Sequence, residues 1–143
     1  MKRILVVFGL IAAVGASVAA PQGEERYKVR LSTVPMDGSM RATVAGYGSA
    51  SAVLTGSRLT VSGTFEGLRS PATAVRLHRG MMTGVRGPSI AEFTVSKALN
   101  GTITGMLDLT PQQIEGLRKG QLYIQIYSEK APEGNLWGWL LRL

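Results

Sequence analysis

Past residue 26 the chain alternates apolar and polar side chains with a period of two. Tyr27, Val29 and Leu31 sit between Arg26, Lys28 and Arg30; Leu59, Val61, Gly63 and Phe65 alternate with Arg58, Thr60, Ser62 and Thr64. Val75 and Leu77 oppose Arg76 and His78, and the segments Ile90 to Val95 and Thr102 to Leu109 read the same way. Leu122, Ile124 and Ile126 oppose Tyr123, Gln125 and Tyr127, while Leu136 and Leu140 oppose Trp137 and Trp139. Successive side chains of a strand point to opposite faces, so this period predicts half-buried strands. Turn signals separate the runs: Pro35 to Ser39, Gly56-Ser57, Ser70-Pro71, Gly84 to Ser89, Asn100-Gly101 and Ala131 to Gly134. The pattern predicts an all-β fold, an antiparallel Greek-key-like β-sandwich of about seven or eight strands. The alternating cations Arg26, Lys28 and Arg30 mark the first strand as an edge strand with a solvated face.

One helix interrupts the strands. Thr110-Pro111-Gln112-Gln113 supplies an N-cap, a proline at the first helical position and a glutamine placed to complete a capping box. Ile114 and Leu117 share an apolar face, and Gly120 suits a left-handed stop. The expected element is a short crossover helix over about residues 111–119, covering one end of the sandwich.

The first nineteen residues have a different pattern. Lys2 and Arg3 precede the apolar run Ile4 to Val14, and Ser17-Val18-Ala19 has the small-x-small form that signal peptidase cuts. This predicts a signal peptide over residues 1–19, with the mature chain starting at Ala20. The run is too short for the ~20 residues of a membrane-spanning helix. Residues 20–26 read as a flexible leader and 27–143 as a single domain. No transmembrane segment is expected in the mature chain, which is placed in the periplasm or outside the cell.

Composition refines this picture. The chain has no cysteine, so an exported fold must stand on burial and backbone pairing without disulfides. Its net charge is +7; removing Lys2 and Arg3 leaves 14 basic against 9 acidic residues, or +5. The charges are scattered, and no ladder of basic and aromatic residues points to nucleic acid.

At this stage several segments, taken in order, resemble the CHRD domain, a family named for chordin and also found in exported bacterial proteins. They are Leu54 to Leu68 ending in FEGL, Ser70 to Ala74, VRLHRG at Val75 to Gly80, the Gly87-Pro88 turn, LTPQQIEGLRKGQLYIQIYS at Leu109 to Ser128, and PEGNLWGWL at Pro132 to Leu140. The resemblance implies a compact extracellular β-sandwich module with no established catalytic activity. The family pattern carries AHIH, NVHT and GEIRGQL motifs. At its three histidine positions this chain has Arg76, His78 and Tyr127, and at its Glu, Arg and Gln positions Asn135, Trp137 and Trp139.

Parity places these substituted positions on one face. If the three strands share a sheet, Arg76 and His78 meet Tyr123, Gln125 and Tyr127, which meet Asn135, Trp137 and Trp139. Aromatic rings with arginine are the composition of binding hot spots. The face is either an exposed interaction surface or a second small core under a loop or the leader.

His78, the only histidine, carries the chemical alternatives. One is a copper or zinc protein centred on His78, with Met81 and Met82 as soft neighbours; one imidazole without cysteines is a poor set where about three ligands are needed. The methionines also read as gap-fillers beneath a loop. The other is a hydrolase with His78 as base, but no Asp or Glu stands at a spacing that would orient it. The sequence therefore favours a non-enzymatic binding module without cofactor or metal. Its expected partner is a protein or an envelope or extracellular polysaccharide, with self-association left open.

Overall fold

The computed structural model describes residues 23–143. The expected signal peptide, and residues 20–22 of the expected leader, lie outside the described residues. The elements in chain order are β1 (Glu24–Thr33), a short 3-10 helix (Gly38–Ala42), β2 (Tyr47–Thr55), β3 (Arg58–Glu66), β4 (Ala72–Arg79), β5 (Ser89–Val95), β6 (Gly101–Asp108), α1 (Pro111–Arg118), β7 (Leu122–Ser128), β8 (Ala131–Trp139) and β9 (Leu141–Arg142). Strand β1 begins at Glu24, so the last three residues of the expected leader belong to the sheet.

The alternation makes an all-β fold, but the sandwich expectation is corrected: eight antiparallel strands close into a barrel. Their order is β2-β3-β6-β5-β4-β7-β8-β1, and β1 returns to β2. Strand β1 pairs with β2 from Glu24 to Leu31 and with β8 through Ser32 and Thr33. On the opposite side β5 pairs with β4 through Phe93 and then with β6 through Thr94 and Val95. A sandwich and a barrel both bury alternate residues, so period two cannot separate them. Two strands shared between the halves of the wall make the difference. The edge-strand expectation for β1 falls with it: β1 is paired on both sides, although Arg26, Lys28 and Arg30 are solvent-exposed as expected.

The seam between β1 and β8 depends on Gly138. A Cβ there would run into the Arg30 carbonyl oxygen and the Val29 side chain, so only glycine lets the strands approach so closely. Past Leu140 the chain continues as β9, which pairs with β1 at Tyr27 and Lys28.

The core is a single cluster inside the barrel. It takes Tyr27, Val29 and Leu31 from β1, Leu54 from β2, Leu59, Val61 and Phe65 from β3, and Val75 and Leu77 from β4. Leu122, Ile124 and Ile126 of β7 and Leu136 and Leu140 complete it with Phe93 and Ile103. Helix α1 bridges β6 and β7 and buries Leu117 in this core, with Ile114 packed against it. Its predicted capping box forms: the Gln113 amide donates to Thr110 Oγ1 at 3.2 Å, and the Thr110 amide donates to Gln113 Oε1 at 3.0 Å. Gly120 ends the turn at φ +72°. Among the described residues no helix is long and apolar enough to cross a membrane.

Candidate functional site

Strands β4, β7 and β8 lie side by side, as the parity argument required. Register sets Arg76 opposite Gln125 and Gln125 opposite Trp137; one step along, His78 faces Tyr123 and Tyr123 faces Trp139. Tyr127 stands opposite Ala74. The inward residues of these strands fill the barrel, so these side chains occupy its outer face.

That outer face is largely covered. All seven residues of β7 except Tyr127 are buried, which means that both faces of the strand are shielded. Two loops do this. Residues 80–88, between β4 and β5, fold back so that the Gly87 amide donates to the Tyr123 hydroxyl at 3.0 Å. The Tyr123 hydroxyl in turn donates to the Gly87 carbonyl at 3.1 Å. Residues 34–46, between β1 and β2, pack Val34 and Val44 with Ala131, Met40 and Trp137 as a second small core. Asn135 Nδ2 donates to the Ala45 carbonyl at 3.1 Å and ties this loop down. Of the eight residues singled out in sequence, His78, Tyr123, Gln125 and Asn135 are buried, while Arg76, Tyr127, Trp137 and Trp139 are half-buried.

The rings form one stack. His78 lies flat on Tyr123, with centroids 4.8 Å apart and 15° between planes. Tyr123 meets Trp139 at 4.4 Å and Trp137 edge-on at 5.7 Å, and the two tryptophans meet edge-on at 5.7 Å. Such tilted and edge-on contacts suit the ring quadrupoles. The Arg76 guanidinium sits 5.0 Å from the Tyr127 ring centre and that of Arg86 5.5 Å from the Trp137 ring centre.

His78 is held at both nitrogens. Nδ1 lies 2.8 Å from the Gly87 carbonyl, which can only accept, so Nδ1 carries the proton. Neutral Nε2 then accepts from the Tyr127 hydroxyl at 2.7 Å. Burial pushes the His78 pKa below its ordinary value; the Gly87 hydrogen bond opposes this, and the charges of Arg76 and Arg86 add to it. Burial likewise raises the Tyr127 phenol, against the nearby Arg76 charge. A neutral imidazole committed at both nitrogens offers no lone pair to a metal or a substrate.

Met81 and Met82 do not serve His78. They are exposed at the tip of loop 80–88, which corrects both the soft-ligand and the gap-filler readings. Among the described residues no group of three or more His, Cys, Asp and Glu is arranged to hold a metal ion. Gln125 Nε2 donates to the Glu133 carbonyl at 3.1 Å, while Gln125 Oε1, Ser128 Oγ and Asn135 Oδ1 are buried without a partner among the described residues.

Sequence reasoning missed Arg86, Gly87, Val34, Met40 and Val44. Gly87-Pro88 was legible as a turn, but the return of that turn over the sheet is a long-range contact that no local pattern encodes.

Comparison with known proteins agrees with the resemblance of the motifs. The family model described as the CHRD domain matches residues 29–140, from the middle of β1 to the end of the barrel wall. No curated protein and no solved structure matches the chain.

Proposed function

Because this chain belongs to the CHRD domain family, we propose that it is an exported, non-enzymatic binding module that receives a protein partner on the outer face of β4, β7 and β8. One observation carries the reading: a preorganised aromatic platform bears two guanidinium groups, Arg76 on Tyr127 and Arg86 on Trp137, with both rings half-exposed. Rings fixed by their neighbours lose little entropy on binding, and aromatic residues with arginine dominate interface energetics. The buried Tyr123, His78, Gln125 and Asn135 then act from beneath as the support that holds the platform and its loops. Both hydrogen-bonded nitrogens of His78 weigh against the metal and hydrolase alternatives.

Photo-crosslinking in the exporting cell tests the reading. A photoreactive phenylalanine in place of Arg76 should give a discrete covalent adduct, and one in place of Thr104, exposed on β6, should not. No adduct at position 76, or the same adduct from both positions, would overturn it. The export part is tested separately by mass spectrometry of the released protein, which should lack residues 1–19. An intact N-terminus in the membrane fraction would restore an anchor.

A further inference from the structure

Large apolar side chains gather at a second surface, which borders the aromatic face where Gly80 approaches Trp139. Met81 is 82% exposed, Met82 60%, Leu141 52% and Leu143 77%. Three contacts bring their segments together around the turn at Gly120 and Gln121. Thr83 Oγ1 donates to the Gly120 carbonyl at 2.6 Å, and Gln121 Nε2 donates to the Met81 carbonyl at 3.0 Å. A Cβ on Gly120 would stand 3.9 Å from Leu141 Cδ2. Strand β9 sets Leu141 opposite Lys28, and the Leu143 amide donates to the Arg26 carbonyl at 2.9 Å. The methionine tip therefore runs into β9 and on into the exposed row Arg26, Lys28 and Arg30 of β1.

The charges on this surface are one-sided. Glu24 pairs with Arg26, Glu115 with Lys119, and Glu25, whose side chain is only 10% exposed, with Arg118 and Arg142. Lys28 and Arg30 have no ion pair among the described residues. The chain as a whole carries +7, and +5 from Ala20 onward.

We propose that this surface binds anionic lipid bilayers, with Met81, Met82 and Leu141 entering the headgroup boundary and Lys28 and Arg30 meeting lipid phosphates. Apolar tips among unneutralised cations match an interface with an apolar interior beneath an anionic plane. A protein-binding core would instead concentrate aromatic anchors and exclude lysine. The one ring at its border, Trp139, is only half-exposed, and Lys28 stands among the exposed side chains. The inference does not rest on a protein-binding role of the aromatic platform, although loop 80–88 contributes residues to both surfaces.

Vesicle co-sedimentation tests it. The barrel closes within residues 23–143, so the chain from Ala20 contains the whole described fold and lacks the apolar segment that would itself seek lipid. This chain should sediment with phosphatidylcholine vesicles containing phosphatidylglycerol, remain free with phosphatidylcholine alone, and be released by salt. Each cation near an anionic leaflet contributes about fivefold in partitioning. Lys28→Glu should therefore weaken binding about tenfold or more. Met81→Ser with Met82→Ser, or Leu141→Ser as an independent variant, should weaken it by about tenfold. Met106→Ser, at an exposed methionine on β6, should leave it unchanged. All these positions are exposed, so unaltered thermal melts should accompany the losses. The proposal falls if the wild type ignores anionic vesicles or binds both kinds equally. It falls as well if the Met81, Met82, Leu141 and Lys28 variants bind like the wild type. A wild-type dimer in sedimentation velocity that Met81→Ser with Met82→Ser dissolves would assign the surface to a second copy and overturn the lipid reading.

Discussion

The Tyr127 hydroxyl donates to Nε2 of His78 at 2.7 Å, linking β7 to β4 across the outside of the barrel. Tyr127→Phe keeps the ring and removes the donor. It leaves the half-shielded Nε2 without a partner, at a cost of about 1–2 kcal/mol. Urea unfolding of the variant against the wild type measures this. An unchanged midpoint would mean that water replaces the hydroxyl without loss.

His78 also sets a pH dependence. Its folded pKa lies below the ordinary value because of burial and, further, the Arg76 and Arg86 charges. Between the folded value and about 6.5 the unfolded chain binds the extra proton. Stability from this group is therefore complete above about pH 6.5 and is lost as the pH falls towards the folded value. Urea midpoints over this range should decline for the wild type and stay flatter for His78→Gln. Parallel profiles would contradict the assignment.

The ring stack should respond to truncation by depth. Tyr123 is 1% exposed, touches His78 and both tryptophans, and holds Gly87 by two hydrogen bonds. Tyr123→Ala should cost about 3–5 kcal/mol. Trp137→Ala and Trp139→Ala remove half-exposed rings and should cost about 2 kcal/mol each, from the smaller area returned to water. Equal losses at all three positions would place the tryptophans as deep in the fold as Tyr123.

A second pH effect arises at the start of β1. The Tyr27 hydroxyl donates to Glu25 Oε2 at 2.7 Å, and Arg118 and Arg142 approach the same carboxylate. The Tyr27 hydrogen bond and the two arginines hold Glu25 below its ordinary pKa, against burial. Its contribution is present above about pH 4.5 and is lost as the pH falls through the folded value. Burial and the Glu25 contact push Tyr27 up to about 12. The unfolded chain releases that proton first, so stability should drop between about pH 10 and 12. Tyr27→Phe should flatten the alkaline decline, and Glu25→Gln the acidic one. Melting temperatures at both extremes test the two separately.

Gly138 predicts the sensitivity of the seam. Gly138→Ala forces β8 away from the Arg30 carbonyl and should cost about 2–3 kcal/mol. Gly38→Ala has no atom within 4 Å of the new carbon and should lie within about 1 kcal/mol of the wild type. Thermal melts of the pair compare a backbone collision with a free position.

The sequence spoke clearly where side-chain contrast was strong. The strands of Leu59 to Phe65 and Leu122 to Tyr127, the Thr110–Gln113 capping box and the meeting of His78, Tyr123 and Trp139 all follow from local periodicity and caps. Strand β2 was silent because Gly48, Ala50 and Ala52 alternate with Ser49 and Ser51, and such small side chains mark no face. Barrel closure was illegible for another reason: it rests on Ser32 and Thr33 reaching Trp137 and Leu136, a pairing of distant segments with no local signature. The covering of the aromatic face likewise depends on loops 34–46 and 80–88, whose backbone amides and carbonyls make the contacts.

The two pairings of β1 also order events during synthesis. This strand leaves the ribosome before the other described strands, and β2 can join it early. Its other neighbours, Leu136 and Trp137 in β8 and Leu141 and Arg142 in β9, are made only after the rest of the barrel wall. A nascent chain that stops short of residue 136 has an open wall and a core in contact with water, so closure of the barrel is withheld until β8 has been made. Truncation before Leu136 removes the closing seam, whereas loss of a final strand segment from many domains would only fray an edge.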